Sequence, residues 1–107
     1  MRTPEGVEKD LIKEYLTRLG PRGCYWFMPV QTGWGRQTVD ILACIDGTFW
    51  AIEVKRDGKM PTARQTAVLS QIRAAGGKTT WGTAVRIVGE IEKWRKERGY
   101  LDVRAES

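Results

Sequence analysis

The sequence contains no histidine, and this absence narrows the chemistry that the protein can perform. Ser-His and Cys-His nucleophile pairs, zinc enzymes with histidine ligands and nucleases with a histidine general base are excluded. Cysteine is scarce: Cys24 and Cys44 lie in separate apolar runs without CxxC spacing. They predict reduced core residues and argue against a zinc site or a disulfide framework. Any catalysis must therefore use carboxylates, lysine and a hard metal ion.

Long apolar runs are also missing. No stretch approaches the roughly 20 residues of a membrane span, and the first ten residues, MRTPEGVEKD, lack the apolar core of a signal peptide. We therefore expect a cytoplasmic protein. The chain has 107 residues, 41% of them hydrophobic, which predicts one domain over residues 1–107.

Positive charge exceeds negative charge, with 18 Lys and Arg against 13 Asp and Glu and a net charge of +5. This balance favours a polyanionic partner, although an ordinary solubility charge would look the same. The distribution is more informative than the total. Lys55, Arg56, Lys59 and Arg64 lie within ten residues, with only Asp57 against them, which is typical of a site that holds a phosphodiester.

Residues 39–55, VDILACIDGTFWAIEVK, predict a β-hairpin. Both halves are rich in β-branched and aromatic residues, and Asp46-Gly47 fits a two-residue turn whose central positions need positive φ. Both faces are apolar except at the open end, so we expect a central hairpin covered on both sides. Counting back from the turn pairs Cys44 with Phe49, Leu42 with Ala51 and Asp40 with Glu53.

This pairing would bring two carboxylates together. Directly opposed Cβ atoms lie about 4.5–5.5 Å apart, where like charges destabilise a sheet. A shared proton would offset the repulsion, but a divalent cation with oxygen ligands is the commoner solution. Lys55 follows Glu53 by two residues and lies on the same face. We predict an acidic metal pocket formed by Asp40 and Glu53 beside Lys55; the alternative is a stripe of solvated charges.

Two helices are predicted from capping signals. Thr3-Pro4 supplies an N-cap and a first helical residue, and helical apolar spacing continues to Gly20-Pro21. Thr62 and Gln65 form a capping-box pattern that begins a second helix, which ends at Gly76-Gly77. The capping box is also a purely structural explanation for Gln65.

The remaining elements complete an α/β fold. Residues 24–30 predict a buried strand, residues 79–88 contain a strand, and a helix runs from about 90 to 98. A crossover through the second helix makes the last strand parallel to its neighbour. The result is a mixed β-sheet built on a central hairpin and flanked by helices. In the loop 31–38, we expect Trp34 either to stack on a base or to cover the end of the sheet, and Arg36 is a candidate phosphate contact.

The order of these parts resembles the PD-(D/E)xK nuclease superfamily, and most closely its small VRR-NUC branch, over about residues 3–77. Val39 stands where the family has the proline of its PD motif, a residue that shapes the backbone and is not a ligand. The matching stretches are TPEG near the start, the glycine-containing loop before Val39-Asp40, AIEVK at 51–55, Gly58-Lys59, Pro61-Thr62 with Gln65, and AAGG at 74–77.

The resemblance implies a restriction-endonuclease-like fold and metal-dependent hydrolysis of DNA phosphodiesters. It implies that Asp40 and Glu53 bind Mg²⁺ or Mn²⁺, with the Val54 carbonyl as a further ligand, and that Lys55 positions the attacking water.

Two further catalytic residues follow from the resemblance. Glu5 lies in the TPEG match and corresponds to the acid of the first helix, with Glu8, one turn on, as the alternative. Gln65 corresponds to the family's glutamine near the metal or the scissile phosphate. The expected nucleic-acid contacts are Arg36, Arg56, Lys59 and Arg64.

The expected partner is DNA, branched as in a Holliday junction, with no membrane and no small-molecule cofactor. The resemblance, and the single active site of so short a chain, imply a homodimer, whose interface Trp26, Trp34 and Trp81 are candidates to cover. Two alternatives stay open: a non-catalytic nucleic-acid-binding module on a nuclease-like fold, and a partner-binding domain whose acidic residues and lysine form only an ion-pair network.

Overall fold

The computed structural model describes residues 2–30 and 38–105. These residues contain three helices, four strands and a short 3₁₀ turn at Val103–Ala105. The helices are α1 (Pro4–Leu19), α2 (Ala63–Ala74) and α3 (Ala84–Glu97), and the strands are β1 (Cys24–Phe27), β2 (Ile41–Ile45), β3 (Thr48–Val54) and β4 (Lys78–Gly82).

The strands form one mixed sheet in the order β1-β2-β3-β4. The first two pairings are antiparallel, and β4 lies parallel to β3 after the crossover through α2. The predicted α/β class and the parallel last strand are both confirmed. The helix boundaries at Thr3 and Thr62 are confirmed too, because each threonine hydroxyl accepts a hydrogen bond from a backbone N–H of the first turn.

The hairpin has the predicted turn and register. Asp46 and Gly47 both have positive φ, and Leu42 pairs with Ala51 as counted from the turn. The ladder ends where Ile41 faces Ile52, so the predicted pairing of Asp40 with Glu53 across the ladder is wrong. The chain bends at Asp40, whose carboxylate accepts the Val54 N–H instead.

Helices cover the two faces of the sheet unequally. One face packs against α1 and α3 and forms the larger core, which includes Ile12, Leu16, Ile41, Ile52, Ile87 and Ile91. The other face packs against α2 around Val39, Ala51 and Leu69. Cys44 and Phe49 on this second face are exposed, so the expectation of a hairpin covered on both sides holds only near its open end.

The first strand is shorter and more exposed than predicted. It ends at Phe27, and Tyr25 is 74% exposed, because β1 is an edge strand with one face turned away from the helices. The two cysteines belong to this region: Cys24 is half-buried, Cys44 is exposed, and both are free. The prediction of a core residue is therefore wrong for Cys44, whereas Cys24 packs against the larger core.

The third helix begins well before the predicted start near residue 90. Thr83 caps it by accepting from Arg86 N–H, and the Glu8 carboxylate accepts from Ala84 N–H at 2.7 Å. β-Branched residues at its start resembled a strand, but Ile87 and Ile91 are four residues apart and both fully buried, as a helix requires. Across the described part of the chain, no helix is long and apolar enough to span a membrane.

Candidate metal and phosphodiester site

The open end of the hairpin carries a buried carboxylate. Glu53 is the second-to-last residue of β3, is only 2% exposed, and shares its face with Ala51, toward α2. From α2, Gln65 Nε2 donates to Glu53 Oε1 at 3.2 Å. The second oxygen, Oε2, is buried and finds no hydrogen-bond partner among the described residues. An oxygen in this state needs a proton or a cation.

Asp40 lies beside Glu53 and is held in place by two groups. Its Oδ2 accepts the Val54 N–H at 2.9 Å, and its Oδ1 lies 3.5 Å from Lys9 Nζ. The same ammonium lies 3.9 Å from Glu5 Oε2, so Lys9 bridges α1 and the hairpin. The sequence prediction did not include Lys9, although its position four residues after Glu5 was a visible signal.

Burial and the neighbouring acidic side chains shift the pKa of Glu53. Burial first, and then the neighbouring carboxylate of Asp40, raise the pKa of Glu53 to about 8 from an ordinary value near 4.5. The positive charge of Lys55 partly opposes this rise in pKa, and the negative charge of Glu5 adds to it. Asp40, Glu5 and Lys55 therefore all act electrostatically on Glu53.

Lys55 and Glu5 line an open cavity of about 520 Å³. Lys55 is half-buried and forms no ion pair within the described residues. Glu8 takes a different role, since its carboxylate is bonded to Ala84 N–H at the start of α3. Of the two candidate helix acids, the geometry therefore favours Glu5.

Gln65 forms the predicted capping box and also contacts the buried carboxylate. Its backbone N–H donates to Thr62 Oγ1 at 3.2 Å, and its Oε1 accepts the Thr62 N–H at 2.9 Å, which completes the capping box. The side-chain amide nitrogen takes no part in the cap and donates a hydrogen bond to Glu53. The cap thus fixes the orientation of the side chain that contacts the buried carboxylate.

The predicted nucleic-acid contacts lie in different places. Arg56 and Lys59 line the same cavity as Glu5 and Lys55. Arg64 is exposed in the first turn of α2. Arg36 and Trp34 lie outside the described residues. Trp26 and Trp81, named as interface candidates, are both half-buried.

The donor set at this site suits a hard divalent cation. Within residues 2–30 and 38–105, no three Asp, Glu or Cys side chains lie close enough to hold a metal by themselves. Mg²⁺ needs fewer, because it commonly takes one or two carboxylates and completes its shell with water and substrate phosphate. Asp40 and the unmatched Oε2 of Glu53 fit this requirement. The Val54 carbonyl as a further ligand remains a prediction.

Comparison with known proteins identifies the fold. No protein-family model matches the sequence, and no curated protein matches it. A solved structure titled "VRR_NUC domain" superposes with a TM-score of 0.69 over 92% of this chain and 99% of that chain, at 23% sequence identity. At this identity the likeness establishes the fold and leaves the activity open. The chain therefore has the VRR_NUC fold, a mixed restriction-endonuclease-like sheet flanked by helices.

Proposed function

We propose that this protein is a Mg²⁺- or Mn²⁺-dependent DNA endonuclease that hydrolyses phosphodiester bonds. The observation that carries the proposal is the buried Glu53, whose Oε2 has no partner among the described residues, beside Asp40 and next to Lys55. An unmatched buried carboxylate oxygen is costly, so a fold that keeps one beside a second acid favours a bound cation. Lys55, two residues after Glu53, and Glu5 line an open cavity that a substrate could enter.

Asp40 and Glu53 would hold the metal, which supplies Lewis acidity toward the phosphate and lowers the pKa of water. The Val54 N–H orients Asp40, and the Gln65 amide orients Glu53. Lys55 would steady the negative charge that develops on the phosphate oxygens. Glu5, which faces the same cavity, would accept a hydrogen bond from the attacking water.

The cations around the cavity would hold the substrate. Arg56 and Lys59 line it, and Arg64 is exposed on α2. Such contacts give affinity for any DNA sequence, because phosphates carry no base information. We further propose a branched substrate, such as a Holliday junction, a homodimer that presents two active sites, and a cytoplasmic location.

The test is cleavage of labelled four-way junction, flap and linear duplex DNA with Mg²⁺, Mn²⁺ or EDTA. We expect metal-dependent cutting that Asp40→Ala and Lys55→Ala abolish, while DNA binding stays largely intact. Lys93→Ala, an exposed lysine of α3, is the matched control and should cut as wild type does.

Two results would contradict the proposal. DNA binding without cutting under every metal condition would leave a non-catalytic binding module. Absence of both cutting and salt-dependent DNA binding would leave a domain in which the acids and lysine serve only the fold.

A further inference from the structure

A second cavity, of about 280 Å³, adjoins the site described above. Arg56, Lys59 and Met60 line both cavities, so the segment that contains them forms a shared wall. The other residues that line the second cavity include Trp81 and Arg86. The sequence prediction did not assign Arg86 any role.

Arg86 is held in a defined orientation. Its guanidinium carbon lies 4.0 Å from the centroid of the Trp81 ring, and its Nε donates to Glu90 Oε1 at 3.1 Å. Glu90 is fixed in turn, because its Oε2 accepts from Thr80 Oγ1 at 2.7 Å. The two terminal nitrogens of Arg86 make no hydrogen bond to the described residues, so one edge of the guanidinium fork is available to a ligand.

The backbone connects this cavity to the buried carboxylate. Trp81 lies opposite Glu53 in the parallel register, and neighbouring strands are about 4.8 Å apart. Lys55 N–H donates to the Gly82 carbonyl at 2.8 Å. A strand of nucleic acid with one phosphate beside Lys55 would therefore continue along the wall formed by Arg56 and Lys59 toward Arg86.

We propose that this cavity is a second backbone-phosphate site for the nucleic-acid strand that is cut, and that Arg86 is its bidentate ligand. The inference rests on the proposed function. A planar guanidinium whose orientation is already fixed loses little side-chain freedom on binding, and its two free terminal nitrogens match two phosphate oxygens. Arg56 and Lys59 add charge at the shared wall, against Asp57 and the Glu90 that orients Arg86.

The experiment compares Arg86→Ala with Arg98→Ala. Arg98 is the matched control because it is an exposed arginine, directly after α3, that does not line the cavity. Its guanidinium carbon lies 4.6 Å from the centroid of the Trp94 ring, and its Nη1 donates to Thr48 Oγ1 beside the hairpin turn. Binding of labelled duplex DNA is measured by fluorescence anisotropy in EDTA over a range of salt concentrations. We expect Arg86→Ala to weaken binding about tenfold and to reduce the salt slope by about one. Arg98→Ala should match wild type.

A third variant separates charge from geometry. Arg86→Lys keeps the charge and loses the fork, so we expect the wild-type salt slope with weaker binding. If Arg86→Ala does not fold, the DNA affinity of Arg86→Lys still tests the inference. In steady-state cleavage with Mg²⁺, Arg86→Ala should raise KM and leave kcat near wild type.

The experiments give different results if this inference is wrong and if the proposed function is wrong. If wild type cuts DNA while Arg86→Ala and Arg98→Ala bind it alike with equal salt slopes, the second phosphate site is wrong and the nuclease stands. If wild type neither cuts nor binds DNA, both are overturned.

Discussion

The fold buries two glutamates almost equally, Glu92 at 1% and Glu53 at 2% exposure, but gives them different surroundings. Glu92 accepts from Tyr15 Oη at 2.8 Å, and both of its oxygens accept from Arg95 Nη1. Arg95 also donates to Asp46 at the hairpin turn and to the Leu101 carbonyl. Glu53 receives one hydrogen bond, from Gln65, and its other oxygen has none from the described residues.

The hydrogen bonds of Glu92 are complete, whereas Glu53 keeps one oxygen without a partner among the described residues. Under the proposed function, that oxygen of Glu53 is kept for a metal ion. The Glu92 cluster ties α1 and α3 to the turn of the hairpin, and burial and Glu92 raise the pKa of Tyr15 so that it remains a donor. The Glu53 cluster lies at the other end of the same hairpin, beside an open cavity. A satisfied buried network rigidifies a fold, whereas a partly satisfied one is costly unless something binds there.

The largest expected effect is on catalysis. Glu53→Gln should reduce metal-dependent DNA cleavage by about a thousandfold, because it removes a negatively charged ligand and leaves the shape of the side chain. The free energy of unfolding should stay the same or rise, since an uncompensated buried acid is removed. Cleavage rates and urea midpoints of the two proteins measure both quantities. A large loss of stability would place Glu53 with Glu92 as a structural residue.

A variant of the Glu92 cluster, Arg95→Met, should affect stability instead of catalysis. It should lower the free energy of unfolding by about 3–5 kcal/mol. It leaves Glu92 and Asp46 buried without their shared cation. Urea denaturation measures the loss. Where the variant is folded, the cleavage rate should remain close to wild type, because the cluster lies at the far end of the hairpin. Loss of cleavage without loss of stability would contradict the division between the two clusters.

A smaller effect is the pH dependence of stability without metal. The pKa of Glu53 is about 8 in the folded state and near 4.5 in the unfolded chain. Between these values the folded state holds a proton that the unfolded state has released, so stability should fall as pH rises through this interval. Thermal unfolding in EDTA should show this fall for wild type and less of it for Glu53→Gln. Equal pH profiles would show that Glu53 is not the titrating group.

The smallest expected effect distinguishes the two acids of α1. Glu5→Gln should reduce cleavage with little change in stability, because Glu5 faces the cavity. Glu8→Gln should reduce stability by about 1 kcal/mol, because it weakens the charged cap at Ala84 N–H, and should leave cleavage nearly unchanged. The opposite result would assign Glu8 to the site.

Local signals were sufficient for much of the fold. The Asp46-Gly47 turn, the register that follows from it and the two threonine caps depend on neighbouring residues, and the structure has them as predicted. The start of α3 was wrong because part of its cap comes from Glu8, which is 76 residues earlier in the chain. The bend at Asp40 was missed for the same reason, since the Val54 amide captures its carboxylate.

For the site, spacing along the hairpin placed Asp40, Glu53 and Lys55 at one end, and the structure brings them together electrostatically. Spacing could not show that one oxygen of Glu53 lacks a partner, because this depends on what α2 brings to it. The alignment of Arg86 on Trp81 also depends on tertiary packing between β4 and α3.

The most direct test of the central claim is a Mn²⁺ titration of the metal-free protein, followed by electron paramagnetic resonance, for wild type, Glu53→Gln and the control Glu97→Gln on the exposed side of α3. The account predicts a Mn²⁺ site in wild type and in the control that is lost or strongly weakened in Glu53→Gln. Equal binding by all three proteins, or none by wild type, would contradict the assignment of Glu53 as a metal ligand.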